Sequence, residues 1–348
     1  MISVIIPTFS RSYLLKKALD SLVKQNFDKY QFEMIVVDNN SSDDTKDVTL
    51  QFIKDHQDFN IKYVFESIPG LVAGRHRGFQ ESRFDILSYV DEDIIADVNW
   101  LKSVCDAFSD PEVMIATGKI LPDYETIPPA WLEWFWINNG REKHCGWLSL
   151  LDMGNEKIDI DPTMVWGVNY SIRKKALIDL GGFNPDTITE EYFYYGGDGE
   201  TGLSLKAIDK KYKVIYHPEM LINHFVPTSR MTYDYFRKRA RIQGKCTSYT
   251  EIRKYGKVVD NVEQNKIPNS IRVVLGKIKR LDFKTLFSKS TTKILTEEEL
   301  LKKDFHEYYL EGYQTQKKLA KKNPQLLQWI LKENYFDYSL PEKMDLIN

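Results

Sequence analysis

Three observations predict an α/β protein with a mixed, mostly parallel central sheet flanked by helices and followed by a helical C-terminal extension. Short β-branched runs alternate with amphipathic segments through the first hundred residues, the pattern of strand–helix–strand units. Helical signals take over from Met231 onward. Charge divides the chain at much the same place: residues 1–229 carry 23 basic and 35 acidic residues (−12) and residues 230–348 carry 25 and 15 (+10), within a net −2.

Taken in order, residues 2–6 (ISVII) read as the first strand, and residues 11–25 set Leu14, Leu15, Ala18, Leu19 and Leu22 at helical spacing, a stripe that covers the sheet. Residues 34–37, 61–65 and 86–90 supply three further strands, with a helical segment opening after Gly70. Beyond a strand at 113–117 the pattern turns irregular, with Pro122, Pro128, Pro129 and tryptophans at 100, 131, 134, 136 and 147, so long loops in a mixed sheet are expected. Residues 214–216 and 221–222 form the last strand-like segment. Helices are expected from about Thr201, over 233–249, near 271–294, over 296–322 and over 325–335, with Thr296 and Glu299 as a capping box. The expected domains are 1–226, a catalytic α/β unit, and 227–348, a basic helical extension.

A chain of 348 residues that is 42% hydrophobic and 28% charged is globular, and its near balance of charge offers no footprint for nucleic acid. Cys105, Cys145 and Cys246 fit neither a disulfide framework nor a zinc site. The N-terminus lacks signal-peptide features, and no apolar run reaches the roughly 18–20 residues that span a bilayer. The expectation is a cytoplasmic protein whose membrane contact, if any, is peripheral at the inner face.

In a parallel sheet, functional groups belong in the loops after the strands. The first strand ends in Pro7-Thr8-Phe9-Ser10-Arg11 and the second in Val37-Asp38-Asn39-Asn40. Asp38 can accept from a base or ribose donor, and Thr8 can help seat a nucleotide; Ser42 and Asp43 serve equally as helix caps. Gly70 precedes Arg75, whose fork suits phosphate oxygens, while Arg77 and Arg83 read as exposed helix charges. The fourth strand opens onto Asp91-Glu92-Asp93. Three adjacent acids repel one another, so a strand-end cluster makes sense around Mg²⁺ or Mn²⁺ bridging to a diphosphate, although solvated turns also carry such trios. Asp198 and Glu200 lie among glycines before a helix; at i and i+2 they do not share a face, so one of them is expected at the reaction centre. Capping explains either one as well. His224, where the chain leaves the sheet, can complete an oxygen-rich metal site.

In order and spacing, Val4–Thr8, Val36–Asp43, Gly70 with Ala73 and Arg75, Tyr89–Asp93, Gly181-Gly182-Phe183, Gly197–Leu203 and His224 resemble the family 2 glycosyltransferases of the GT-A (Rossmann-like) fold, over about residues 1–226. The resemblance implies transfer of a sugar, with inversion, from a nucleotide-diphosphate donor, usually UDP-linked, with Mn²⁺ or Mg²⁺ as cofactor. It further implies a saccharide or lipid-linked saccharide as acceptor. By position it puts Pro7, Thr8, Phe9, Arg11, Asp38 and Asn40 on the nucleoside, and Gly70 and Arg75 toward the diphosphate. Asp91, Glu92 and Asp93 fall on its acidic motif, with Asp91, Asp93 and His224 as metal contacts. The family's base motif is altered here; alignment on Leu203 makes Glu200 the first choice of base and Asp198 the second. Trp166, Gly167 and Asn169 fall on the acceptor side, where Trp131, Trp134 and Trp136 stack on sugars or simply pack.

Between Lys266 and Lys293 stand eight Lys/Arg and one Asp interleaved with apolar residues, a pattern suited to an anionic membrane surface or to the solvated face of a packing helix. The final helices are equally suited to a homodimer contact or to capping the active site. Two alternatives stand beside an active transferase: a catalytically weakened nucleotide-sugar-binding subunit of a partner transferase, and a peripheral membrane scaffold.

Overall fold

The computed structural model describes residues 1–186, 188–259 and 295–342. The basic stretch 266–293, with the membrane surface expected of it, lies outside the described residues.

Strand β1 (Ile2–Thr8) is buried along its whole length and pairs in parallel with β2 (Phe32–Asp38) on one side and β4 (Ile86–Val90) on the other. β3 (Ile61–Phe65) extends the parallel run from β2. Beyond β4 the direction reverses: β11 (Asn169–Arg173) is antiparallel to both β4 and β6 (Val113–Tyr124). An antiparallel fringe, β7 (Ile137–Asn138), β8 (Lys143–Cys145) and β9 (Leu150–Asp152), completes the edge. β12 (Lys213–Val226) runs parallel to β6 and antiparallel to the short β5 (Ile94–Ala96) and β10 (Ile158–Asp159). This is the mixed, mostly parallel sheet expected. β6 and β12 are longer than the sequence suggests, because pairing with each other carries both past Pro122 and Pro218 with a register shift between His217 and Ile222.

The alternation of side chains explains the helical layers. On one face Ile2, Val4 and Ile6 pack with α1 (Ser12–Leu22), through Leu15, Ala18, Leu19 and Leu22, and with α4 (Trp100–Ala107). On the other, Ile5, Ile35 and Val37 meet α3 (Leu71–Glu81), α5 (Lys174–Asp179) and α6 (Gly199–Asp209). α3 lies so close that a Cβ on Gly78 would strike Ile5. α2 (Thr45–Asp55) covers the β2–β3 edge. Arg83 is exposed, as expected, and also donates from Nε to the fully buried Glu33 at 2.9 Å.

The C-terminal helices do not form a separate layer. α7 (Tyr233–Tyr255) gives Phe236 and Ala240 to the first core, and Tyr249 and Ile252 to the second. α8 (Glu297–Lys322) crosses α7 at paired glycines: a Cβ on Gly244 would run into the Tyr309 carbonyl, and one on Gly312 into that of Arg241. The expected capping box opens α8, with Glu299 N–H donating to Thr296 Oγ1 at 3.2 Å and Thr296 N–H to Glu299 Oε2 at 2.9 Å. α9 (Pro324–Leu331) closes the second core with Trp329 and Ile330. All three cysteines are free, and among the described residues no helix is long and apolar enough to cross a membrane.

Candidate active site

The register that sets Thr8 opposite Asp38 brings the loops after β1 and β2 side by side. Asp38 is buried, with Oδ1 accepting from the Ser41 N–H at 2.8 Å and Oδ2 from the Tyr63 hydroxyl at 2.7 Å. Burial, reinforced by Asp38, pushes the Tyr63 phenol above its ordinary value, so it stays a donor. Thr8 keeps a buried hydroxyl without a partner. Phe9 is exposed, and Asn40 is exposed in the left-handed region at φ 63°. The amide that organises this corner is Asn39, which sequence reading passed over: it donates to the Ile68 carbonyl at 2.6 Å and accepts from the Gly70 N–H at 2.8 Å, fixing the turn (Gly70 φ 118°) into α3.

At the end of β4 the acidic trio meets His224, a juxtaposition set by strand pairing. β5 places Ile94 opposite His224, and the Phe225 N–H donates to the Asp93 carbonyl at 2.8 Å. His224 Nδ1 donates to the Leu148 carbonyl at 3.0 Å, and Nε2 lies 3.4 Å from Asp93 Oδ1, a buried oxygen without a hydrogen-bond partner. Asp93 Oδ2 accepts from Arg11 Nη1 at 3.0 Å and from Arg230 Nη2 at 3.2 Å. Burial works against ionising Asp93, but His224, Arg230 and Arg11 outweigh it and hold its carboxyl below the usual range. Glu92 faces Arg11 at 3.2 Å; burial and Asp93 push its carboxyl up. Arg11, its side chain 42% exposed, is drawn to Glu92 and Asp93 by their charge, and Glu92 is buried against it. Arg230, six residues after His224, is a further member that sequence reading missed; its signal was a cation just past the strand end.

Arg75 is 1% exposed. Its Nη1 donates to Glu200 Oε1 at 2.5 Å, Nη2 lies 3.8 Å from Asp91 Oδ1, and the guanidinium sits over the Phe183 ring at 5.2 Å. Burial alone would raise the Glu200 carboxyl; Arg75 reverses the sign and keeps it ionised. A Cβ on Gly167 would strike both members of this pair. Asp198, the second choice of base, is accounted for otherwise: Oδ1 accepts from Asn184 Nδ2 at 2.8 Å and Oδ2 from the Thr250 hydroxyl at 3.0 Å, so it ties α6 to α7. Asn169 is also corrected. It is fully buried, accepting from Trp100 Nε1 at 3.1 Å and donating to the Met220 carbonyl at 2.8 Å, because its strand position points it into the core.

Arg75, Asp91, His224 and Glu200 open onto one cavity of about 530 Å³. Trp166 and Gly167 line it, with Trp134 and Trp136; Trp131 packs edge-on against Phe236. Its far wall comes from the C-terminal helices, including Tyr235 and Arg239 of α7 and Phe305 of α8.

For a divalent metal, the donor set is partly assembled. His224 Nε2 and Asp93 Oδ1 lie 3.4 Å apart, Nε2 also faces Arg230 Nη1 at 3.2 Å, and Asp91 stands two residues away, so a divalent ion bound here would take these ligands over from Arg230. Among the described residues no cluster of three ligands is preformed. Mg²⁺-type sites take one or two carboxylates and complete their shell with substrate phosphates and water, so the residues fit such an ion.

A sheet of this order with an acidic loop at its switch to antiparallel strands, a buried carboxylate across the cleft and helices closing it defines a GT-A architecture. The solved mannosyltransferase PcManGT from Pyrobaculum calidifontis, in complex with GDP-Man and Mn²⁺, superposes with a TM-score of 0.54 at 15% identity, over 95% of this chain and 84% of its own. The model of the family described as Glycosyl transferase family 2 matches residues 3–181, and the chain belongs to that family. Among curated relatives, glycosyltransferase AglE of Haloferax volcanii is 29% identical over 34% of this chain and 39% of its own. The GalNAc(5)-diNAcBac-PP-undecaprenol beta-1,3-glucosyltransferase of Campylobacter jejuni is 38% identical over 26% of this chain and 29% of its own. The match thus spans well under half of each of these two proteins. The glucosyl-dolichyl phosphate glucuronosyltransferase of Haloferax volcanii aligns more broadly, 20% identical over 70% of this chain and 75% of its own.

Proposed function

We propose that this chain transfers a sugar, with inversion, from a nucleoside-diphosphate donor to a saccharide or lipid-linked saccharide acceptor, residues 1–226 forming the catalytic unit. The observation that carries the reading is Glu200, held ionised by Arg75 beside Asp91 in an aromatic-walled cavity. Thr8, Asp38 and Tyr63 seat the nucleoside, and Arg75 faces the diphosphate. The acceptor oxygen attacks the anomeric carbon as its proton passes to Glu200, and the bond to the diphosphate breaks with its electron pair on the leaving oxygen. As long as Arg75 grips Glu200 the base is weak; a diphosphate that competes for the guanidinium raises its basicity. Asp93, His224 and Asp91 would hold a divalent cation, which supplies charge stabilisation to the departing diphosphate. Gly167, by admitting the ion pair, and the tryptophans, by excluding water, keep the attack with the acceptor.

Two relatives are named for lipid-linked substrates, which supports that acceptor class. A base in place weighs against the reading of a non-catalytic subunit. The test is thermal stabilisation by UDP, GDP, CDP and dTDP, each with Mn²⁺ and with EDTA. One nucleotide stabilising the protein only with metal is the expected result; no response to any of them overturns the proposal.

A further inference from the structure

Four cations line the cavity, and three of them are spent. Arg75 serves Glu200 and Asp91, Arg230 serves Asp93, and Lys302 is bonded to Glu298. Arg239, on the cavity side of α7, makes no hydrogen bond or ion pair among the described residues, and its Nε is buried without a partner. A guanidinium nitrogen left unmatched away from water costs free energy, and folded proteins tolerate this mainly where something else supplies the acceptor. Gln243, one turn further along α7, lines the same wall. We propose that Arg239 is the anion-binding subsite for the acceptor, which is therefore a saccharide carrying a carboxylate or a phosphate.

Position separates this subsite from the donor's. The acidic trio is attended by Arg11, Arg75 and Arg230, whereas the charge of Arg239 bears on Glu200 and Asp186. Burial, with Glu200 next, pushes the Asp186 carboxyl up, and Arg239 works against that rise without forming an ion pair with it. Trp134, Trp136 and Trp166 give the same cavity flat walls for a sugar ring, and a guanidinium beyond the base can pair bidentately with an acidic substituent while the ring presents its hydroxyl to Glu200. An Arg–oxyanion bond of this kind gives discrimination of about tenfold or more over a neutral sugar.

This inference rests on the sugar-transfer reading, and its test separates the two. Binding of D-glucuronate and of glucose 1-phosphate is measured by saturation-transfer NMR on the full chain, with methyl β-glucoside as the neutral control, alongside stabilisation by UDP and GDP with Mn²⁺. The acidic sugars are expected to bind about tenfold or more tightly than the glucoside. Arg239→Gln removes that preference and Arg239→Lys restores part of it, both keeping the nucleotide response. Failure of both acidic sugars to bind, equal binding of the glucoside, or an acid preference that survives Arg239→Gln overturns the subsite. A missing nucleotide response with the Arg239-dependent preference intact overturns the sugar-transfer reading and leaves the anion site standing.

Discussion

The two sides of the cleft are built by different means. On the proposed donor side, Thr8 and Asp38 close β1 and β2 and the acidic trio follows β4, three strands of one parallel run, and each is positioned by its own strand and the loop after it. On the acceptor side, Trp134, Trp166, Glu200 and Arg239 come from separate loops and helices, and only the packing of α7 and α8 over the sheet makes them one wall. A strand end is a local address; a wall assembled from remote segments is a tertiary one. The donor side should therefore tolerate changes in the helices, whereas the acceptor side should not.

Changes at the junction of the two sides should have the largest effect. Glu200→Gln is expected to lower turnover by about 10²–10⁴-fold with nucleotide stabilisation kept; an equal loss in Asp198→Asn with the fold intact would return the base to Asp198. Gly167→Ala forces Arg75 and Glu200 apart and should cost about 10²-fold in turnover, because catalysis is steeply sensitive to displacement on the ångström scale. Because Arg75 also faces the diphosphate, the variant's nucleotide-induced shift should fall too, but by less than turnover, and a matching loss there would erase the distinction between the two sides. On the donor side alone, Asp93→Asn should weaken the metal-dependent part of nucleotide stabilisation about tenfold or more, as read from Mn²⁺ titrations.

Gly244→Ala, at the α7–α8 crossing, should lower stability by about 1–3 kcal/mol in denaturant melts and disturb acidic-sugar binding before nucleotide binding. The smallest effect concerns pH. His76 accepts from the Phe183 N–H at 2.9 Å, and burial, with Arg75 next, pushes its imidazole down to about 3. The unfolded chain binds this proton below about pH 6.5, which the folded chain refuses until about 3, so stability is lost as the pH is lowered through that window, by at most about 1.4 kcal/mol per unit. Substituting His76→Gln should make the stability–pH curve shallower there than in the parent, and an unchanged curve would dismiss the buried neutral ring.

Much of the donor side is legible in the sequence. β-branched runs followed by Thr8, Asp38 and Asp91–Asp93 announce strand ends, and spacing alone marks α1 and the α8 cap. Asn39 and Asn40 show the limit: neighbours of one type are separated into an organising amide and a surface residue by a single left-handed turn. The pairing of Arg11 with Glu92 and Asp93 is not legible, because sequence gives no distance to residues 81 and 82 positions away.

By itself, then, the sequence determined the alternation of elements and the parallel half of the sheet, since periodicity and spacing are local properties of the chain. Only the tertiary structure decided that Asn169 and Asp198 brace the core, that His224 meets Asp93 through the β5–β12 pairing, and that Arg239 Nε is left without a partner among the described residues. Partnership between charges depends on ångström-scale distances across segments far apart in the chain, and folding sets those distances through burial and register.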